Sequence, residues 1–441
     1  MPGRLYMAAH GFMGLYLLAL LAVPRASTSL AALTCLTALA AGFHHWRDDA
    51  RVGFRHMALL VVPAGLYLLH VLLQILTGMA APRLSSDVFI GLLTLAVGLS
   101  GVPNRGADVR RWILPAAALG AVASCLLALY QVWVLDYLRP YGWLGSGTLG
   151  NGAIKFGDLA SLQALLAFVL VLTAVHKWHR LLGLAGLFCG MLALALTQTR
   201  GGILGVLLAV SALALAISLR RRHERQLGVA APASAGRVVK FRPGTTAVML
   251  SMALVLSLSA AGFMQKRFAE IEPQVRRYLQ GDIDSEVGQR LALWQAAVRA
   301  GVTYPLTGVG FGRFGEELQR QSASGEIPSK ERILYGLAHS EYLSAFAEAG
   351  LSGFLALALM FLAPMVALVR QIAAGRGSPA AYAALVTAAA FAGFALTDDM
   401  FDRQITTIAF FLLNAWFLRA AWKPPAHEAA AARALPGQVT Q

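Results

Sequence analysis

Apolar stretches of about 20 residues, the length of a helix that crosses the hydrocarbon of a bilayer, recur along almost the whole of this chain. Read at that length, spans are expected at roughly 8–24, 27–43, 57–77, 87–103, 112–135, 157–175, 181–198, 202–219, 245–264, 341–369, 380–397 and 404–422. The break at Thr197-Gln198-Thr199-Arg200-Gly201-Gly202 keeps 181–219 from being one very long helix. Charged residues make up 13% of 441 positions, about half the share in a soluble domain. The predicted class is therefore an all-α polytopic membrane protein of about 12 transmembrane helices. Residues 8–24 also resemble the h-region of a signal peptide, with Ala26 and Ser27 near a cleavage point, but a retained span keeps the charge alternation below consistent.

One polar stretch interrupts the pattern. Residues 265–340, from Gln265-Lys266-Arg267 to Ala338-His339-Ser340-Glu341, separate the ninth and tenth spans. Connections usually take about 4–6 residues, so a loop of about 75 has work beyond joining two helices. The expected organisation is spans 1–9 over 1–264, the loop over 265–340, spans 10–12 over 341–423 and a disordered Ala/Pro-rich tail over 424–441.

The net charge of +15 follows the topology. Assigning the connections alternately to two sides places 21 of the 37 basic residues on the side of the amino terminus and, leaving out the long loop, 6 on the other. Basic loops stay in the cytoplasm. Both termini are therefore expected there, with the long loop on the far, periplasmic face. Most acidic residues, including Asp398, Asp399 and Asp402, fall on that far face. Nucleic-acid binding is excluded. The basic linker 220–243 reads as a topology determinant, with contact to anionic lipid headgroups as the functional reading. Cys35, Cys125 and Cys189 lie inside apolar runs and read as small buried hydrophobes. The chain shows no soluble domain, internal repeat, Walker motif or dinucleotide fingerprint.

Charge at the outer ends of spans needs an account, because it is costly beside hydrocarbon. Arg200, followed by Gly201-Gly202, makes a cationic turn with exposed amides that suits a phosphate oxygen, although snorkelling to headgroups would also explain it. The Gly-rich segment 136–156 holds Tyr137, Tyr141 and Trp143, which suit an interfacial belt or sugar stacking, with Arg139 and Lys155 at the same level. In the long loop, Lys266, Arg267, Arg276 and Arg277 interleave with Phe268, Ile271, Val275 and Tyr278 as an amphipathic helix on the membrane surface. A second helix, about 286–300, places Arg290, Trp294 and Val298 on one face, as a packed stem or a ligand grip. The run Thr307 to Phe314 resembles a phosphate loop but lacks the Lys-Ser/Thr that should follow, so a tight turn against the spans is expected.

His339 stands where the loop re-enters the membrane. An isolated histidine is more often structural, but neutral imidazole, with a pKa of about 6.5, accepts protons near neutral pH. Glu341 beside it, and Arg290 and Arg200 at the same level, favour a catalytic role. Metal binding needs further ligands at short spacing. Asp398-Asp399 belongs to a different turn, so no metal site and no cofactor are expected.

In order and placement, the Thr197-x-Thr199-Arg200-Gly201-Gly202 turn, the large outer loop with Arg290-x-x-x-Trp294 and the 308–314 glycine turn, and His339-Ser340-Glu341-Tyr342-Leu343 resemble the bacterial O-antigen ligase and polymerase superfamily, most of all its O-antigen ligases. The resemblance covers nearly the whole chain and rests on the order of the motifs. It implies an inner-membrane glycosyltransferase that moves a finished glycan from undecaprenyl diphosphate to a sugar hydroxyl of lipid A–core, without metal or nucleotide. It also implies His339 as base with Arg290 and Arg200 on the diphosphate. Arg313, Lys155, Arg139 and Arg83 are weaker candidates for the same anionic surface, and Trp294 and Tyr342 for substrate contact. An O-antigen polymerase or a protein O-oligosaccharyltransferase of the same superfamily is the rival reading. A secondary transporter would show interrupted helices in two repeating halves, and none repeat here.

Overall fold

The structure is a computed structural model that describes residues 2–42, 46–80, 109–142, 152–226, 269–327 and 336–421, with the isolated positions 95, 97, 98, 100 and 102. Among the described residues every regular element is helical. In chain order these are α1 (Pro2–Ala19), α2 (Pro24–Gly42), α3 (Trp46–Leu76), α4 (Ile113–Trp133), α5 (Gly152–Thr173), α6 (Lys177–Thr197) and α7 (Arg200–Gln226). They continue with α8 (Ile271–Leu279), α9 (Glu286–Thr303), α10 (Phe314–Ala323), α11 (Glu341–Gln371), α12 (Pro379–Phe394) and α13 (Gln404–Ala421). Among the described residues, seven stretches are long and apolar enough to cross a membrane: Met57–Leu76 of α3, then α4, α5, α6, α7, Glu341–Arg376 and α13. α12 is apolar but shorter. The expected span 245–264 lies outside the described residues, as does nearly all of 87–103, together with the linker beyond Gln226 and the tail. The first two expected spans correspond to α1 and α2, which are not among these seven. The turn between them falls at residues 20–23, because Pro24 opens α2, and proline favours the first helical turn.

Burial separates the centre from the rim. α5 and α13 bury 83% of their apolar windows, whereas α3, α6 and α7 bury 33%. The rim helices turn side chains such as Leu66, Leu69, Leu207 and Leu215 outward, as lipid-facing surfaces do. α12 is built largely of alanine and is buried along its length. It packs against α7, α13, α11 and α5. At its contact with α7, a Cβ on Gly205 would stand 2.1 Å from the Phe394 ring, so glycine there allows the close approach that membrane helices use in place of hydrophobic driving force.

Among the described residues, one end of the bundle brings together the carboxyl ends of α3, α4, α6 and α12 and the amino ends of α5, α7, α11 and α13. Over this end lie α8, α9 and α10, from the long polar stretch. α9 begins where Ser285 Oγ accepts from the Gly288 amide at 3.0 Å. Leu293, Ala296, Phe314, Leu318 and Ala347 form a second small core beneath α9 and α10. α9 and the tight glycine turn were expected from the sequence; α10 was not.

α11 is broken near its start. Gly350 has φ 65° and ψ −160°, well outside helical values, and the break frees backbone groups that need partners near hydrocarbon. The glycine turn supplies them. Val309 donates to the Ala347 carbonyl at 2.9 Å, Gly310 to that of Glu348 at 3.1 Å, and Leu351 donates to Pro305 at 2.7 Å. Gln74, near the end of α3, donates to the carbonyls of Thr307 at 2.7 Å and Glu348 at 2.9 Å, and accepts from the Phe311 amide at 2.8 Å. The polar stretch is thus fastened to two spans just before the chain reaches His339.

Candidate active site

The turn between α12 and α13, residues 395–402, is where the chemistry-bearing side chains meet. The first turn of α11 docks on it: the Glu341 amide donates to the Ala395 carbonyl at 3.0 Å and to that of Asp398 at 3.2 Å. This docking brings His339, one residue before the cap of α11, to Asp398. His339 Nδ1 lies 3.4 Å from Asp398 Oδ1, with both residues buried. A carboxylate can only accept, so in the neutral ring this contact places the imidazole proton on Nδ1. The other Asp398 oxygen, Oδ2, pairs with Lys155 Nζ at 2.8 Å. Lys155 also pairs with Asp402 Oδ1 at 2.9 Å and donates to the Asp399 carbonyl. Burial works against ionising Asp398, but the Lys155 ammonium and the His339 contact together outweigh it and hold the carboxyl below the usual carboxylate range. Asp399 carries no such pairing. Burial, with Glu341 and Asp398 nearby, pushes it up to about 7, although Ser344 Oγ donates to it. Asp402 is raised as well, by burial against the pull of Lys155.

Two sequence expectations are revised here. Lys155 is a weaker candidate for the diphosphate surface by sequence, but the residue is 1% exposed and its ammonium is committed to two carboxylates and a carbonyl. It is a buried, paired cation beneath the site. Asp398-Asp399 was assigned to a different turn, yet ligand-type atoms of His339, Asp398 and Asp399 lie within 4.8 Å of one another. The positive charge in that cluster is the chain's own Lys155.

The arginines divide into two groups. Arg290 of α9 donates through Nη1 to the Thr397 carbonyl at 2.8 Å, one residue from Asp398. Arg200 opens α7, and a Cβ on Gly201 would stand 2.6 Å from Thr397 Oγ1. The Arg200 turn, Arg290 and His339 therefore all border Thr397-Asp398. Arg139 donates to the Thr197 carbonyl at 2.8 Å, on the carboxyl end of α6 beside the Arg200 turn, where a cation offsets the helix dipole. Arg313 is directed elsewhere: it donates to the Gly78 carbonyl at 3.0 Å, just past the end of α3. Arg83 lies outside the described residues.

Both turns that resemble phosphate cradles face carboxylates of this chain. The amides of Gly312 and Phe314 donate to the buried Glu348 of α11, so the glycine turn holds an internal anion. At the Arg200 turn, Cβ atoms on Gly201 and Gly202 would stand 3.4 and 3.2 Å from Asp158 Oδ1. Asp158 is wholly buried, feels the charges of Lys155 and Arg290, and makes no hydrogen bond through its carboxylate among the described residues.

Trp294 lies one turn beyond Arg290 on α9, half-buried, and its Nε1 meets no acceptor among the described residues. Tyr342 faces inward: its hydroxyl donates to the Ala392 carbonyl at 3.2 Å and its ring packs on Phe354 and Phe361. That is a packing position rather than the substrate-facing one expected from the sequence. Tyr137 and Tyr141 stack at 5.1 Å, while Trp143 lies outside the described residues. Sequence reasoning missed Asp158, Asp398 and Asp402 as members of the site. Lys155 and Asp158 within apolar α5 were the available signal, since charge inside a span marks function or pairing.

The protein is thus a multi-pass helical membrane protein with a polar, charged site at one end of its bundle. Residues 184–358 match the family model described as O-Antigen ligase, a similarity that supports membership of the O-antigen ligase/polymerase superfamily. The match runs from α6 into α11 and takes in the Arg200 turn, Arg290, the glycine turn and His339; Lys155 and the Asp398 turn lie outside it. The chain is also 23% identical over 265 residues to a Haemophilus influenzae protein described as uncharacterized, an alignment covering 60% of this chain and 61% of that relative's length.

Proposed function

We propose that this protein is an O-antigen ligase that transfers a glycan from undecaprenyl diphosphate to a sugar hydroxyl of lipid A–core at the periplasmic face of the inner membrane. The observation that carries this reading is His339 held by Asp398 between two arginine-bearing elements, within the stretch and turn just described. The sugar hydroxyl gives its proton to His339 Nε2 as its oxygen attacks the anomeric carbon. The bond from that carbon to the diphosphate oxygen breaks, and its electron pair leaves with the diphosphate. Attack opposite the leaving group inverts the anomeric centre. Base catalysis of this kind contributes about 10²–10⁴-fold. Arg290 and Arg200 stabilise the charge that gathers on the leaving diphosphate, since guanidinium forks match phosphate oxygens and carry a permanent charge. Asp398 keeps the imidazole in the useful tautomer. Trp294 suits the apolar face of a sugar ring.

The test is transfer by purified protein given undecaprenyl-diphosphate-linked glycan and lipid A–core. Ligation of intact glycan to the core is expected. Extension of the donor with the core unmodified would make it a polymerase, and glycan appearing on protein would make it an oligosaccharyltransferase. His339→Asn, in which asparagine tolerates the left-handed backbone at that position (φ 51°), should abolish transfer while the protein still inserts. Arg290→Ala should do the same. Near-normal ligation by the His339→Asn protein would remove the base from the mechanism.

A further inference from the structure

Lys155 is a buried cation that the transfer chemistry does not use directly, and its geometry gives it a specific task. We propose that Lys155 is a positioning residue: by pairing with Asp398 it fixes the carboxylate that orients His339 and keeps that imidazole in its neutral, proton-accepting form. The proposal rests on the reading of His339 as the base.

Asp398 is shared between two partners, with Oδ2 at 2.8 Å from Lys155 and Oδ1 at 3.4 Å from His339. The ammonium on one oxygen fixes the plane and direction of the other. It also offsets negative charge beside the imidazole. Lys155 is divided in turn, because Asp402 Oδ1 lies 2.9 Å from the same ammonium. Charged groups packed around the pair include Asp158 of α5, Glu341 of α11, Arg290 of α9, Asp399 and Asp402 of the turn and Arg403 just after it, with Arg200 of α7 bordering the same turn. Carboxylates dominate that set. Without Lys155 the Asp398 carboxylate beside the ring would act on His339 with little compensation, and a neighbouring anion favours the imidazolium, which cannot accept a proton. Removing Asp402 acts the other way, since it leaves Lys155 to Asp398 alone.

The experiment is the pH dependence of kcat/KM for glycan transfer by the full-length protein. In Lys155→Met the acid limb should move to higher pH by about one unit or more, the size of shift a nearby charge produces. Lys155→Arg should bring it back towards wild type. Asp402→Asn should move the limb to lower pH, and it decides the matter if Lys155→Met does not fold. Diethyl pyrocarbonate labelling of His339 across pH, read by peptide mass spectrometry, should move in the same directions without any need for activity. Slower transfer with both the limb and the labelling unmoved would overturn the proposal and leave Lys155 a purely structural ion-pair partner. If the wild type transfers no glycan, the functional reading fails, and the labelling still shows whether Lys155 governs the protonation of His339.

Discussion

At the level of single residues the site is a ledger of carboxylates. Asp398 has Lys155 and sits below the usual carboxylate range, whereas Asp399 has no cation and is pushed up to about 7. A carboxyl whose folded-state pKa exceeds its unfolded value of about 3.9 contributes stability that is intact at low pH and lost as pH rises. For Asp399 that window runs from the unfolded value up through about 7. Asp399→Asn keeps the shape and the acceptor for Ser344 Oγ but cannot ionise. In detergent, its melting temperature should fall less than that of wild type between about pH 4 and pH 8. A pair of parallel curves would mean that Asp399 ionises without cost. None of this was legible in the sequence, where Asp398, Asp399 and Asp402 appear as three acids on one side of the membrane. A run of letters carries no information about which acid meets an ammonium.

At the level of elements, the break in α11 matters most. Gly350 divides it into a short segment that carries the His339 junction and a long membrane-crossing segment, and the turn before α10 satisfies the carbonyls that the break frees. A Cβ at Gly350 would stand 2.5 Å from the Pro305 carbonyl oxygen, at φ +65° where side chains are strained. Gly350→Ala is expected to cost about 1–3 kcal/mol and to loosen the polar stretch. Limited proteolysis within residues 269–327 should then quicken, and an unchanged rate and melting temperature would show that the junction is not a fastening point. The glycine turn itself was legible, because its composition prescribes tight backbone. Its partner was not: Glu348 lies more than 30 positions further on, and only the fold brings its carboxylate to those amides.

At the scale of the whole molecule, the expected orientation sets the site end of the bundle towards the periplasm. Gln280, exposed after α8, and Arg222, exposed near the end of α7, should then lie on opposite sides of the membrane. In intact cells a membrane-impermeant maleimide should label Gln280→Cys, and Arg222→Cys only after permeabilisation. Labelling of the two in the reverse order would invert the topology and withdraw the periplasmic assignment. Cys35 and Cys125 are buried and Cys189 half-buried, which keeps the background low.

The sequence by itself determined that the chain is helical and polytopic, because the length and spacing of apolar runs are local quantities that hydrocarbon reads directly. It also singled out His339 and the Arg200 turn by their place at span ends, and Arg290 on a helix of the long polar stretch. The tertiary structure decided what those residues touch. His339 meets a carboxylate 59 positions away, and Lys155 reaches a carbonyl 244 positions away. Helix packing sets such meetings, and burial then gives them their strength: in an interior that excludes water, the Lys155 ammonium and His339 separate an ionised Asp398 from an Asp399 that resists ionisation.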